Sequence, residues 1–140
     1  MDIENKGISH VWDFHELNKP EYADLPIVCK FPDDTEVALT PHYYVVDSIA
    51  FLYTLCNELN DVGPATVKNI LNRIDCERQE DCWDGYKKDT LFANDNDYYN
   101  CEVQVTNDYY FDYDDVKSHM PVYSIKRVNI EQDRIVLILE

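Results

Sequence analysis

The stretch from Asn94 to Asp115 constrains the fold of this chain most, because its side chains alternate in polarity from Cys101 onward. Successive side chains of an extended chain point to opposite faces, so this alternation predicts a strand or hairpin with one apolar and one acidic face. The apolar positions are Cys101, Val103, Val105, Tyr109, Phe111 and Tyr113. The opposite positions are Glu102, Gln104, Thr106, Asp108, Asp112 and Asp114, with Tyr110 as the single aromatic residue among them.

The charge of the chain supports a role for this acidic face. The 140 residues include 12 basic and 28 acidic side chains, a net charge of −16. Residues 94–115 hold seven of the acids and no Lys or Arg. Such a charge repels nucleic acid and anionic membrane and attracts basic proteins. The face is therefore either a solvated strand surface or a surface for a basic protein partner, and the sequence leaves both interpretations open.

Two hairpins and two helices are predicted around this stretch. A turn of Pro-Asp-Asp-Thr separates strands at 26–31 and 36–40, and a second hairpin joins 122–130 to 134–139. The last strand is apolar at both parities, which predicts that it lies inside the sheet. Apolar residues at three- and four-residue steps predict one helix after Asp47 and another after Pro64. These residues are Ile49, Leu52, Leu55, Cys56 and Leu59 in the first helix and Val67, Ile70, Leu71 and Ile74 in the second.

The predicted fold is a single α+β domain over residues 1–140, a mostly antiparallel sheet with two or three helices packed on one face. Near the N-terminus, Ser9 caps a short helix or a strand runs from Ile8 to Phe14, and Pro20 ends either one. The chain is long enough to bury a sizeable core.

No pattern indicates an enzyme, a cofactor or a metal site. Cys76 and Cys82 are spaced too widely for a structural zinc pair, and Asp95-Asn96-Asp97 begins like a calcium loop but has Asn100 where glycine is required. The five cysteines are odd in number and scattered, and no signal peptide or membrane span precedes them, so we expect free thiols and a cytoplasmic location.

The turn 31–37, Phe-Pro-Asp-Asp-Thr-Glu-Val, and the closing hairpin 122–137 resemble those of small acidic phage and prophage accessory proteins. The resemblance covers about a quarter of the chain. It implies a mobile-element protein, a class that includes inhibitors of host restriction, CRISPR and DNA-repair enzymes, some of which imitate DNA.

These observations predict a small inhibitor that binds a basic nucleic-acid-handling protein through an acidic and aromatic surface, without contacting nucleic acid or membrane itself. The alternatives are an immunity protein that covers the basic active site of a toxin nuclease, and an enzyme or metal protein of another kind. The predicted partner-binding residues are Asp95, Asp97, Tyr98, Glu102, Asp108, Tyr110, Asp112, Asp114 and Asp115, together with Asp33, Asp34 and Glu36 in the first hairpin.

Overall fold

Seven strands and a few helical segments make up the computed structural model, which describes residues 7–46, 48–55, 64–83, 95–107 and 122–140. The strands are β1 (Ile27–Lys30), β2 (Glu36–Val46), β3 (Ile49–Thr54), β4 (Glu102–Thr106), β5 (Val122–Tyr123), β6 (Ile125–Ile130) and β7 (Ile135–Leu139). The α-helices are α1 (Val67–Trp83) and α2 (Asp95–Tyr99). A long 3₁₀ helix (Val11–Leu17) and a short one (Pro20–Tyr22) precede β1.

The strands form one mixed sheet in the order β5-β4-β3-β2-β1-β7-β6. The pairs β1–β7 and β3–β4 are parallel, and the other neighbours are antiparallel. Because β1 and β3 both run antiparallel to β2, strands β1, β3, β4 and β7 all point the same way. We refer to the end of the sheet where these four strands begin as the lower end, and to the other as the upper end.

The sheet curls until its first and last strands almost meet. β5 and β6 stand at opposite ends of the strand order, yet only Ser124 separates them in the chain, so they form one bent strand that pairs with β4 on one side and β7 on the other. Below this bend, the N-terminal segment enters the remaining gap, where Ile8 bridges to Ile125 and His10 bridges to Glu102. The result is a nearly closed barrel, an arrangement that leaves little unpaired strand edge.

This architecture shows that the predicted fold class is wrong. The molecule is mostly β, a mixed seven-stranded sheet nearly closed on itself, and not a mostly antiparallel sheet with two or three helices on one face. The helix predicted after Asp47 is strand β3 over Ile49–Thr54. Every one of its residues from Ala50 to Thr54 is buried, so both faces of this inner strand are covered. A strand that is apolar on both faces also contains three- and four-residue steps, so the helical period arose from continuous apolarity.

Both predicted flanking hairpins and the second predicted helix are present. β1 and β2 form the antiparallel first hairpin, β6 and β7 form the closing hairpin, and β7 lies inside the sheet between β1 and β6. The helix predicted after Pro64 is α1, where Thr66 Oγ1 accepts a hydrogen bond from Asn69 N at 3.2 Å and so caps the first turn. Cys56 and Leu59 of the other predicted helix lie outside the described residues.

The alternation that predicted β4 holds for most of this strand. Val103 and Val105 are buried while Glu102 is exposed, as expected. Thr106 departs from the pattern because it is fully buried on the opposite face. Phe111 and Asp112, which completed the prediction, lie outside the described residues.

The core fills the barrel with alternate residues from neighbouring strands. Cys29 pairs with both Val37 and Leu137, which places these three side chains on the inner face. The long 3₁₀ helix adds Phe14 and Leu17 to the same cluster, and both are fully buried. The core is therefore built from both the strands and the long 3₁₀ helix.

Candidate partner-binding surface

The long 3₁₀ helix presents Trp12 and His15 on one face because it has three residues per turn. Val11, Phe14 and Leu17 recur at this period and are fully buried in the core. Trp12 and His15 therefore share the next face of the helix. The helix is held at its start by Asp13, whose Oδ2 accepts hydrogen bonds from Ser9 N at 2.9 Å and His10 N at 3.0 Å.

Trp12 and His15 form an aromatic cluster with Tyr99 of α2. The ring centroids of Trp12 and Tyr99 lie 4.6 Å apart, and those of His15 and Tyr99 lie 5.2 Å apart in an edge-to-face arrangement. Trp12 is nevertheless 42% exposed, one of only two large apolar side chains that are exposed within the described ranges. An exposed tryptophan on a fixed aromatic support is typical of a binding surface, where Trp is enriched among the residues that contribute most.

A carboxylate from α1 joins this cluster. The Tyr99 hydroxyl donates a hydrogen bond to Asp75 Oδ1 at 2.7 Å, and His15 Nε2 lies 3.4 Å from the same oxygen. Asp75 therefore connects α1, α2 and the long 3₁₀ helix at one point. His15 Nδ1 is buried without a hydrogen-bond partner, so the ring is fixed by its contacts with Tyr99 and Asp75. The arrangement places a half-exposed negative charge beside two aromatic faces.

Tyr98, the neighbour of Tyr99, anchors α2 to the barrel. It is fully buried, its hydroxyl donates to the Ile74 carbonyl at 2.7 Å, and its hydroxyl oxygen lies 3.0 Å from that of Tyr43. A side chain this deeply buried does not contact a partner directly. Tyr98 is one of the residues that the sequence predicts as partner-binding, and the structure places it in the core, whereas its neighbour Tyr99 is partly exposed.

Asp97 and Glu102, both predicted as partner-binding, are exposed at the same lower end. Asp97 belongs to α2, and Glu102 bridges to His10, two residues before Trp12. We call the set of Trp12, Asp75, Asp97, Tyr99 and Glu102 the acidic-aromatic surface. Three carboxylates and two aromatic rings without a lysine or arginine among them make this set suited to a cationic group.

The first hairpin does not contribute to this surface. Asp33, Asp34 and Glu36 are exposed around the β1–β2 turn at the upper end, whereas Glu102 lies where β4 begins at the lower end. Their charges also have local partners. The hydrogen bond that Thr35 N donates to Asp33 Oδ1 at 3.0 Å holds the pKa of Asp33 below its usual range, and Asp34 lies 3.7 Å from Lys30 Nζ.

Glu36 is engaged most strongly of the three. Arg134 Nη1 lies 2.7 Å from Glu36 Oε1, an ion pair that spans β1 to join β2 with the start of β7. The hydrogen bond from Arg134 lowers the pKa of Glu36, and the bonds to Glu36 and Glu131 raise the pKa of Arg134. The Glu36 carboxylate is therefore engaged in a contact between strands of the sheet.

Five of the predicted residues, Asp108, Tyr110, Asp112, Asp114 and Asp115, lie outside the described residues, as does the side chain of Asp95. Sequence reasoning missed Trp12, Asp75 and Tyr99 as surface residues. The period-three spacing of Val11, Phe14 and Leu17 was the available signal for Trp12. No sequence signal placed Asp75 beside it, because α1 and the 3₁₀ helix meet only in the folded molecule.

The chain matches no protein-family model, no curated protein and no solved structure. None of the helices in the described ranges has both the length and the apolarity needed to cross a membrane. Within those ranges, no group of three or more His, Cys, Asp or Glu side chains is arranged to hold a metal ion.

Proposed function

We propose that the protein is a small inhibitor that binds a basic nucleic-acid-handling protein, of the anti-restriction or anti-CRISPR kind, through the acidic-aromatic surface. The observation that carries the proposal is the exposed Trp12 ring supported by Tyr99, whose hydroxyl is held by the Asp75 carboxylate. The resemblance of the first turn and the closing hairpin to phage accessory proteins gives the proposal its biological setting.

The surface favours an arginine or lysine side chain from the partner. A cation over an aromatic face gains about 0.5–1 kcal/mol at an exposed site and about 2 kcal/mol when it is desolvated. An exposed ion pair adds about 0.2–1 kcal/mol. Tryptophan is the best aromatic partner for a cation. The Asp75 carboxylate is bonded to Tyr99, whose ring contacts Trp12, so we expect one long cationic side chain to reach both groups. The net charge of −16 also steers a basic partner toward the protein before contact.

The described geometry favours an aromatic anchor over an imitation of duplex DNA. B-DNA carries one charge per roughly 1.7 Å, whereas carboxylates on alternate strand positions lie about 6.8 Å apart. In β4 only Glu102 is an exposed carboxylate, since Gln104 is neutral and half-buried and Thr106 is buried. The strand face therefore lacks the charge density of a duplex, and binding depends on Trp12 and its neighbours.

The experiment is capture and inhibition with a matched pair of variants. The tagged protein captures its partner from a bacterial lysate, the bound protein is eluted with salt and identified, and the purified partner is assayed for nuclease or nucleic-acid-binding activity. Trp12→Ala should weaken binding at least tenfold. Val122→Ala is the control because Val122 is equally exposed, at 41% against 42% for Trp12, and lies at the upper end. It should change binding less than twofold.

Charge substitutions extend the same test. Asp75→Asn and Asp97→Asn should each weaken binding and reduce its salt dependence, because the Debye length falls from about 10 Å at 0.1 M salt to about 3 Å at 1 M. Reversing Asp108, Asp112 and Asp114 to Lys should add to the loss if that segment extends the surface. A captured protein that is acidic, whose activity is unchanged, or whose binding tolerates Trp12→Ala as well as Val122→Ala would contradict the proposal.

A further inference from the structure

A cleft of about 530 Å³ opens on the outside of the barrel near the upper end, where three cationic side chains line it. Lys30 comes from β1, and Lys126 and Arg127 come from β6. Ile138 forms the floor between them, since it pairs with Lys30 on one side and Arg127 on the other. Phe31, Pro32, Leu139, Asp34 and Asn129 complete the lining. Cleft volumes of this size are typical of small-molecule sites.

A β-bulge brings two of the cations to the same side. Ile125 pairs with Leu139 and Arg127 pairs with Ile138, so Lys126 is an extra residue with no partner position on β7. In a regular strand, adjacent side chains point to opposite faces, and one of Lys126 and Arg127 would enter the apolar core. With the bulge, both are exposed and both line the cleft.

Glycine at position 7 allows the N-terminal segment to pack against the backbone of the bulge. A Cβ atom on Gly7 would lie 2.0 Å from the Ile125 carbonyl oxygen and 2.7 Å from the Lys126 carbonyl carbon, distances that no side chain tolerates. The next residue, Ile8, donates its backbone N–H to that Ile125 oxygen at 3.1 Å. The chain has only three glycines, and one of them allows the N-terminal segment to pack directly on the bulge. The positions of Lys126 and Arg127 on the outside of the barrel are thus fixed by the fold.

The charge of the cleft is the reverse of the charge of the protein. Lys30 has Asp34 at 3.7 Å, but neither Lys126 nor Arg127 has an ion-pair partner among the residues that the structure describes. This is notable in a chain with 28 acidic and 12 basic residues, where a carboxylate is the commonest available partner. Among the side chains that line the cleft, three cations face one carboxylate, a net charge of about +2. Glu36 also neighbours Lys30 across the β1–β2 pair, but its carboxylate is held by Arg134.

We propose that this cleft binds the phosphate group of a small phosphorylated molecule. A phosphate monoester carries a charge of about −1.5 to −2 at neutral pH, which matches the net charge of the cleft, and its oxygens accept hydrogen bonds from Arg and Lys. Phe31, Pro32 and Leu139 offer an apolar wall for the organic part. A long nucleic acid is disfavoured, because the remaining charge of the protein repels every additional phosphate. The cleft lies at the opposite end of the barrel from the acidic-aromatic surface, so this site is independent of the proposed inhibitor function.

The test is calorimetric titration of the full chain with AMP, inorganic phosphate, adenosine and a single-stranded DNA of about 12 nucleotides. AMP should bind more tightly than inorganic phosphate, and adenosine should not bind. Arg127→Gln should weaken AMP binding at least tenfold, since it removes a charge-assisted hydrogen bond. Lys68→Gln is the matched control, because Lys68 is an exposed base on α1 outside the cleft, and it should change the affinity less than twofold.

Asp34→Asn should change the affinity for AMP in the opposite direction to Arg127→Gln. Removing the carboxylate that competes for Lys30 should tighten AMP binding two- to threefold, an effect that a purely structural role of the turn does not produce. Equal binding of AMP and adenosine, no saturable binding up to about 5 mM AMP, tighter binding of the DNA than of AMP, or an unaltered affinity in Arg127→Gln would each overturn the proposal. Each of these outcomes leaves the capture experiment with Trp12 unaffected.

Discussion

Substitution of Tyr98 by phenylalanine tests how much the buried hydroxyl that anchors α2 contributes to the stability of the fold. The change removes one oxygen atom and leaves the ring in place. The lost hydroxyl donates to the Ile74 carbonyl at 2.7 Å and lies 3.0 Å from the Tyr43 hydroxyl, and the Tyr98 side chain is fully buried. A net hydrogen bond contributes about 0.5–1.5 kcal/mol, and a buried polar group deprived of its partner costs about 1–3 kcal/mol. We therefore expect Tyr98→Phe to lower the free energy of unfolding by about 2 kcal/mol.

Urea denaturation followed by tryptophan fluorescence measures this change, with the double-mutant cycle as the control. Tyr43→Phe removes the contact between the two hydroxyls while Tyr98 keeps its bond to the Ile74 carbonyl, so it should cost less, about 1 kcal/mol. The double variant should lose less than the sum of the two single losses, because the shared contact is counted twice in that sum. A loss below about 0.5 kcal/mol in Tyr98→Phe, or additive losses in the cycle, would refute the reasoning that this contact anchors α2.

Three further measurements follow from the described contacts. The hydrogen bond from Arg134 lowers the pKa of Glu36 in the folded protein. The Glu36–Arg134 pair therefore stabilises the fold above the unfolded-state pKa of Glu36, and this stabilisation is lost as the pH falls through the folded-state pKa. On acidification below about pH 4.5, the melting temperature of the wild type should fall more than that of Glu36→Gln. Leu137→Ala at the centre of the core should cost about 2–5 kcal/mol in urea denaturation. Peptide mapping after brief thiol labelling of the native protein should find Cys76 modified and Cys29 unmodified. Cys76 is exposed, whereas burial raises the pKa of the Cys29 thiol. Equal labelling of the two cysteines would contradict the burial of Cys29.

The sequence predicts the elements whose signals are local. The Pro-Asp-Asp-Thr turn, the start of α1 after Pro64 and the closing hairpin all follow from signals within a few residues. The same reasoning fails at β3, where residues from Ala50 to Thr54 are buried on both faces, so no period distinguishes a strand from a helix. Burial on both faces depends on how the whole sheet packs in the folded molecule, and no local sequence signal records it.

The parallel strand pairs and the acidic-aromatic surface could not be predicted from the sequence, because each depends on contacts that form only in the folded molecule. The β1–β7 and β3–β4 registers join residues far apart in the chain and depend on no turn. The contact of Asp75 with Tyr99 likewise exists only after α1 and α2 have docked. Alternation predicted the faces of β4 correctly at Val103 and Glu102, because a single strand carries that information by itself.

The pairing of β1 with β7 also has a consequence for how the protein emerges from the ribosome. Ile27 pairs with Ile135, more than a hundred residues later, and synthesis proceeds at about 5–20 residues per second. The free edge of β1 therefore waits roughly 5–20 s for its neighbour while the β1–β2 hairpin is already complete. During that interval the Ile-Val-Cys-Lys edge is open to pairing with another nascent chain, so slower translation or crowded polysomes should favour misassembly at this strand.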